Sequence, residues 1–204
     1  YDEFILYLDR EFARLFDHLE STGVLEDTWL VLTADHGELF ERGVRGHTSP
    51  LLYQPVVRIP LMIFEPGRTS RRDVHTPTSA VDVLPTLLHV TGEDSPTWTE
   101  GTVLPPFSAT EPQPDRAVYT LNAKHNDPAA PLTHATAMIV SGKYKLTYFF
   151  GYKELGPGVE RVELYDVEAD PEELHDLYTE QKQIGTDLLA QLKEKLKEVN
   201  QPYI

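Results

Sequence analysis

The sequence predicts an α/β protein: a core portion of helices and apolar strands, followed by a small four-stranded antiparallel sheet with a C-terminal helix. Three observations lead to this fold class. Helix-like and strand-like patterns alternate in the first part of the chain. A stretch rich in Pro, Ser, Thr and Glu then indicates a surface connection at residues 93–116. Four short strand-like runs and one amphipathic helix complete the sequence.

The first part of the chain provides a predicted helix and two predicted strands. Residues 2–21 repeat apolar side chains at helical spacing, and Gly23 stands where a C-terminal cap belongs. The runs at 28–34 and 58–67 are nearly continuous in apolar residues. Such runs are typical of strands buried on both faces, so we expect them in a larger, mainly parallel sheet.

The second part begins with another helix and ends with one. A helix is expected over 79–92, with Ser79 as its N-cap and Gly92 as its terminator. The last helix is expected over about 180–199, where apolar residues form one stripe. Four strands at hairpin spacing are predicted between them, at 116–121, 136–142, 144–150 and 160–166.

These elements divide the chain of 204 residues into three segments. We predict a core portion at residues 1–95, a connecting loop at 96–115 and a small α+β subdomain at 116–204. The formal net charge of −15 argues against general nucleic-acid binding, which needs a basic face. The absence of cysteine excludes disulfides and thiolate sites. No apolar run reaches the roughly 18 residues of a membrane span.

The candidate site follows the first strand, in "WLVLTADHGELFERGVRGH" (29–47). Asp35 and His36 stand at the carboxyl end of that strand, where open α/β sheets bind their ligands. A carboxylate with a neutral imidazole suits zinc, manganese or another borderline divalent ion, although a solvated turn is the alternative for so short a motif. His47 is interpreted as a further ligand, a proton donor, or a charge facing a developing anion.

Longer stretches resemble the second half of a sulfatase, in the alkaline phosphatase superfamily. They are, in order, "LEDTWLVLTADHGELF", "GHTSPLLYQPVVRIPLMIFEPG", "TSAVDVLPTLLHVTG" and "SGKYKLTYFF…VELYDVEADPEELHDL". The last, a Lys-bearing strand followed by "ELYD" and an acidic turn, is distinctive of sulfatases within the superfamily. The resemblance covers nearly the whole chain and implies an alkaline phosphatase-like core portion.

The resemblance implies that Asp35 and His36 bind a divalent metal ion, with calcium or manganese expected first and zinc as a further candidate. Many sulfatases have Asn in place of His36 and bind calcium. The Asp-His pair is more similar to the phosphonate monoester hydrolase and phosphodiesterase branch, which favours manganese or zinc. His47 lies where sulfatases usually carry a Lys that contacts the ester group, so the resemblance implies a catalytic role for it.

One family motif is missing, because the sequence contains no Cys/Ser-x-Pro-x-Arg nucleophile motif. We therefore expect the chain to be the C-terminal portion of an arylsulfatase-like sulfuric ester hydrolase, inactive by itself. A phosphodiesterase or phosphonate monoester hydrolase is the alternative enzyme, and a non-catalytic folded module is the alternative of another class. The expected partners are a small anionic ester substrate and either the missing N-terminal half or a second copy of the chain.

Two further residues are candidates for substrate contact. Lys124 and His125 lie in "NAKHNDPAAPLTH", a loop between strands of the predicted small sheet. Loops carry many binding residues, but they also carry many charges that only face solvent. We predict that both side chains contact substrate, and a solvated loop remains the alternative.

Overall fold

A computed structural model describes residues 1–110, 113–123, 127 and 129–203. Within these residues the chain forms two compact units. The first comprises Tyr1–Gly37 and Arg58–Asp73, and the second comprises Glu38–Val57 and Val74–Ile204. The predicted segment boundaries at 95 and 116 stay a prediction.

The first unit contains one helix and a two-stranded sheet. Helix α1 (Asp2–Ser21) is followed by strands β1 (Leu30–Thr33) and β2 (Leu61–Phe64). The predicted helix and both strands are confirmed. Burial on both faces is wrong for this pair, because most residues of the two strands are only partly buried. The two strands run antiparallel to each other, and the larger, mainly parallel sheet stays a prediction. A continuous apolar run indicates a strand, but it carries no information on strand direction.

Aromatic residues hold α1 on this sheet. The rings of Phe12 and Phe16 lie 5.9 and 5.2 Å from the ring of Phe64, measured between centroids. The helix ends as predicted, since Gly23 has a φ of +75° and its N–H donates to the carbonyl of Glu20. No residue of α1 is fully buried.

The second unit carries most of the buried core. Its sheet has the order β3-β4-β5-β6, with every neighbouring pair antiparallel, as predicted. The elements of this unit are α2 (Gln54–Val57), α3 (Val83–Val90), β3 (Val118–Asn122), β4 (Ala135–Ser141), β5 (Tyr144–Phe150), β6 (Arg161–Asp166) and α4 (Lys182–Asn200). Helix α4 covers the sheet, and the main buried cluster consists of Ala137, Ile139, Leu146, Tyr148, Leu164, Leu188 and Leu192.

A buried ion pair organises the start of α3. Ser79 and Asp82 form a capping box, in which the Ser79 N–H donates to Asp82 Oδ2 at 2.8 Å. Arg116 donates to both carboxylate oxygens of Asp82 at 2.7 Å. Burial opposes ionisation of Asp82, but hydrogen bonds from Arg116, Thr102 and Ser79 outweigh it and lower the pKa of the carboxyl below its ordinary value.

No helix within the described ranges is both long enough and apolar enough to cross a membrane.

Candidate functional site

Asp35 and His36 lie together directly after β1, in the first unit. The His36 backbone N–H donates to Asp35 Oδ1 at 3.0 Å, so the two neighbouring residues are in direct contact. Asp35 Oδ2 lies 3.6 Å from His36 Nε2. The Asp35 side chain is 89% exposed and that of His36 is 39% exposed, so both reach the surface at this end of the strand.

The imidazole orientation fits a metal ligand. His36 Nδ1 lies 2.9 Å from the carbonyl oxygen of Gly37, so the tautomer with hydrogen on Nδ1 donates to that carbonyl. Histidines that bind metals usually hold their second ring nitrogen by such a bond. In that tautomer the ring nitrogen without hydrogen is Nε2, which lies 3.6 Å from Asp35 Oδ2. Two ligand atoms on one tetrahedral zinc ion are roughly 3.4 Å apart, close to the separation of these two atoms.

His47 lies in the second unit, at the end of a closed loop. Its Nδ1 is 3.3 Å from Glu38 Oε2, and its side chain is about half-exposed. The Gly46 N–H donates to the Leu39 carbonyl at 2.8 Å, so the two ends of the loop meet. Gly46 has a φ of +101°, a conformation that strongly favours glycine next to the histidine.

A buried ion pair anchors the segment that follows this loop. Lys145 on β5 donates to Glu173 Oε1 and to the Leu52 carbonyl, each at 2.5 Å. Glu173 Oε2 accepts the Gln54 N–H at 2.6 Å. Both side chains are fully buried, and burial lowers the pKa of the Lys145 ammonium although Glu173 opposes the shift.

The residue between these two backbone groups is Tyr53. Its ring lies 4.0 Å from the Arg42 guanidinium carbon and 6.0 Å from Lys145 Nζ. The ring of Tyr165 meets it edge-on at 6.3 Å. Arg42 belongs to the loop that ends at His47, so Tyr53 connects that loop to the buried ion pair.

Two further residues are predicted to contact substrate. Lys124 and His125 lie outside the described residues.

Across the described ranges, no group of three or more His, Cys, Asp or Glu residues is arranged to hold a metal ion. The metal and the roles of Asp35, His36 and His47 therefore stay predictions.

Sequence reasoning missed Glu38 as the partner of His47 and the contacts of Arg42 and Glu173. One signal was present for the last of these, because Lys145 and Glu173 fall within the late motif that resembles sulfatases. Glu38 and Arg42 carried no such signal, since charged residues in a glycine-punctuated loop usually face solvent.

The chain is similar in sequence to known sulfatases. The sequence model of the sulfatase family matches residues 1–93. A choline-sulfatase of Rhizobium meliloti is 34% identical over 179 residues, which are 85% of this chain and 31% of that protein. An arylsulfatase K of Xenopus laevis is 26% identical, and the match covers 92% of this chain and 33% of that protein. The chain thus spans about a third of the length of these curated relatives.

Solved structures share the fold. A putative sulfatase of Bacteroides fragilis superposes with a TM-score of 0.76 at 21% identity, covering 98% of this chain and 42% of that one. A phosphonate monoester hydrolase of Agrobacterium radiobacter superposes with a TM-score of 0.71 at 24% identity, covering 96% of this chain and 39% of that one. At such identities the likeness shows the fold alone. The matching family model and the similar sulfatases show that the chain belongs to the sulfatase family.

Proposed function

We propose that this chain supplies part of the active site of a metal-dependent sulfatase that hydrolyses sulfate esters. The observation that carries the proposal is the position of Asp35 Oδ2 and His36 Nε2, 3.6 Å apart at the carboxyl end of β1. Two unlike donor atoms at that distance suit one divalent cation. Sulfatase relatives, among them a choline-sulfatase, support a sulfate ester as substrate.

Each residue has a proposed task. Asp35 and His36 hold the cation, and Gly37 orients the imidazole through its carbonyl. When bound, a divalent ion polarises an ester oxygen and orients the nucleophile against the central atom. Glu38 holds His47 by Nδ1, so we assign Nε2 as the ring atom that transfers a proton or stabilises charge on the ester. Lys124 and His125 remain proposed substrate contacts.

The nucleophile is proposed to come from outside these 204 residues. The chain has no cysteine and no Cys/Ser-x-Pro-x-Arg motif. Covalent catalysis of the family type needs that group. We therefore expect this chain by itself to show no hydrolysis of aryl sulfates above background.

The second candidate function is hydrolysis of phosphate diesters or phosphonate monoesters. The Asp-His pair favours it, because the resemblance places His in that branch and Asn in calcium sulfatases. The fold is compatible, since a phosphonate monoester hydrolase superposes on nearly the whole chain. Manganese or zinc would then be the expected ion, whereas calcium fits an oxygen-rich site better.

A manganese titration followed by NMR tests the metal site. Mn²⁺ should broaden the imidazole signals of His36 before those of the other histidines, and Asp35→Asn should remove this selectivity. Asp17→Asn, which changes an exposed carboxylate on α1, is the matched control. Equal broadening of all histidines would contradict a metal site at Asp35 and His36.

A substrate comparison tests the reaction class. We would join this chain to a nucleophile-bearing segment of sulfatase type and compare 4-nitrophenyl sulfate with bis(4-nitrophenyl) phosphate. Faster sulfate hydrolysis that is lost in His36→Ala supports the first proposal, and faster diester hydrolysis supports the second. No metal-dependent turnover of either ester would favour a non-catalytic module.

A further inference from the structure

The loop that carries His47 is closed at its base. We call residues 38–47 the histidine loop. Leu39 is completely buried, and its carbonyl accepts the Gly46 N–H. The Glu38 carboxylate lies beside His47 at the same end of the loop. These contacts close the base of the loop, and we expect the base to open more often when nothing holds the tip.

The tip is held by an aromatic contact. Arg42 lies over the Tyr53 ring at 4.0 Å, and its terminal nitrogens are buried. Neither nitrogen has a hydrogen-bond acceptor among the residues that the structure describes. A buried guanidinium without such bonds depends on its other contacts, and the structure shows one of them, the cation–π contact with Tyr53.

Tyr53 is itself held by the buried ion pair, which we call the Lys145–Glu173 clamp. Lys145 bonds the carbonyl before Tyr53 and Glu173 bonds the N–H after it. Two apolar residues of similar volume would stabilise the core as well as a buried ion pair does. They could not bond a backbone acceptor and a backbone donor at once, so the clamp adds a fixed position for the Tyr53 ring.

Backbone strain marks the two ends of this series of contacts. In the described part of the chain, Arg42 and Glu173 are the non-glycine residues with positive φ, at 59° and 55°. Left-handed backbone is unfavourable for such residues and persists where the surroundings determine it. Glu173 belongs to the clamp at one end of this series of contacts, and Arg42 belongs to the histidine loop at the other end.

We propose that the Lys145–Glu173 clamp positions His47 by way of Tyr53 and Arg42. The clamp fixes the Tyr53 ring, the ring fixes Arg42, and Arg42 fixes the orientation of the histidine loop. All four are positioning residues, and the catalytic consequence rests on the proposed role of His47. The geometric part stands on its own and is measured without activity.

Hydrogen exchange in this 204-residue chain tests the proposal. The Gly46 amide reports closure of the histidine loop, and the Leu146 amide in β5 reports the sheet. Arg42→Met and Tyr53→Leu should each lower the protection of Gly46 about tenfold and leave that of Leu146 unchanged. Arg42→Lys keeps a cation for the ring and should restore most of the protection.

Matched variants separate positioning from folding. Arg45→Met changes an exposed arginine of the same loop and should leave Gly46 unaffected. In the double variant of Arg42→Met and Tyr53→Leu, Gly46 should lose no more protection than in either single variant. Glu173→Gln should lower protection of Gly46 more than that of Leu146. Equal losses at both amides, or an effect no larger than that of Arg45→Met, would overturn the proposal.

This outcome is independent of the metal test. If Mn²⁺ ignores His36 while Gly46 responds as expected, the proposed function fails and the positioning inference stands. If Mn²⁺ selects His36 while Gly46 does not respond, the function stands and the positioning inference fails.

Discussion

Helices α1 and α4 have nearly the same length, 20 and 19 residues, and both have an apolar face. Their environments differ. Helix α4 buries Gly185, Leu188 and Leu192, whereas no residue of α1 is fully buried. Leu8 of α1 is 64% exposed and Leu192 of α4 is 2% exposed.

The difference lies in the surface that each helix meets within its own unit. Helix α4 lies on a four-stranded sheet, and its leucines join the cluster that β4, β5 and β6 form. Helix α1 meets a two-stranded sheet, and its ring contacts there come from Phe12 and Phe16. An amphipathic pattern therefore predicts a helix and its apolar face, but the area of the partner sheet decides how much of that face is buried.

The largest expected difference between the two units concerns ion pairs. Asp82→Ala removes one partner of the buried pair with Arg116 and should lower the free energy of unfolding of the second unit by about 3–5 kcal/mol. The exposed pair of Arg71 and Asp73 in the first unit is the control, and Asp73→Ala should cost less than about 1 kcal/mol. Urea unfolding measures both, with Trp98 and Trp29 as separate fluorescent probes of the two units.

The same ion pair predicts a pH dependence. The pKa of Asp82 is lowered in the folded state, so the unfolded chain takes up the proton first as the pH falls. The contribution is complete well above the ordinary value of 3.8 and is lost as the pH falls through the lower folded-state pKa. Asp82→Asn should flatten this part of the stability profile. An unchanged profile would contradict a lowered pKa.

Matched leucine substitutions sharpen the comparison of the two helices. Leu192→Ala should lower the free energy of unfolding by about 2–5 kcal/mol, because it leaves a cavity in the buried cluster. Leu8→Ala should change it by no more than about 0.5 kcal/mol. Thermal unfolding of both variants gives the two values. Equal costs would show that the apolar face of α1 is buried in solution.

Two glycines give a smaller contrast. A Cβ at Gly101 would lie 2.0 Å from the Val81 carbonyl oxygen, so Gly101→Ala should lower the free energy of unfolding by about 3 kcal/mol. Gly67 in the first unit has open space around it and a φ of +66°. Gly67→Ala should therefore cost only about 1 kcal/mol of backbone strain. Urea unfolding of the two variants tests the order, and a larger cost at Gly67 would refute it.

The smallest expected effect belongs to the surface of α1. Arg14 bonds Glu11 one turn earlier, with Nη1 2.9 Å from Oε2. Arg14→Gln should lower the free energy of unfolding of the first unit by about 0.2–0.5 kcal/mol, and the effect should vanish in high salt. Circular dichroism during thermal unfolding at two salt concentrations provides the measurement. A salt-independent loss would mean that the arginine stem packs on the helix.

The sequence predicted the helices and strands well, because their signals are local. The strand predicted at 144–150 has those bounds, and the helix predicted over 2–21 has them too. Apolar spacing, capping residues and turn residues lie within a few positions of each other, so they can be read along the chain. The adjacent residues Asp35 and His36 could be paired for the same reason.

Tertiary structure alone decided the direction of β1 against β2 and the contacts around His47. Glu173 bonds a backbone group 119 positions earlier in the chain, and Lys145 bonds one 93 positions earlier. No local pattern specifies such a partner, because a buried charge and a solvated charge look alike in a sequence. The pair forms only when folding removes water from both groups and brings hydrogen-bond partners to them from distant parts of the chain.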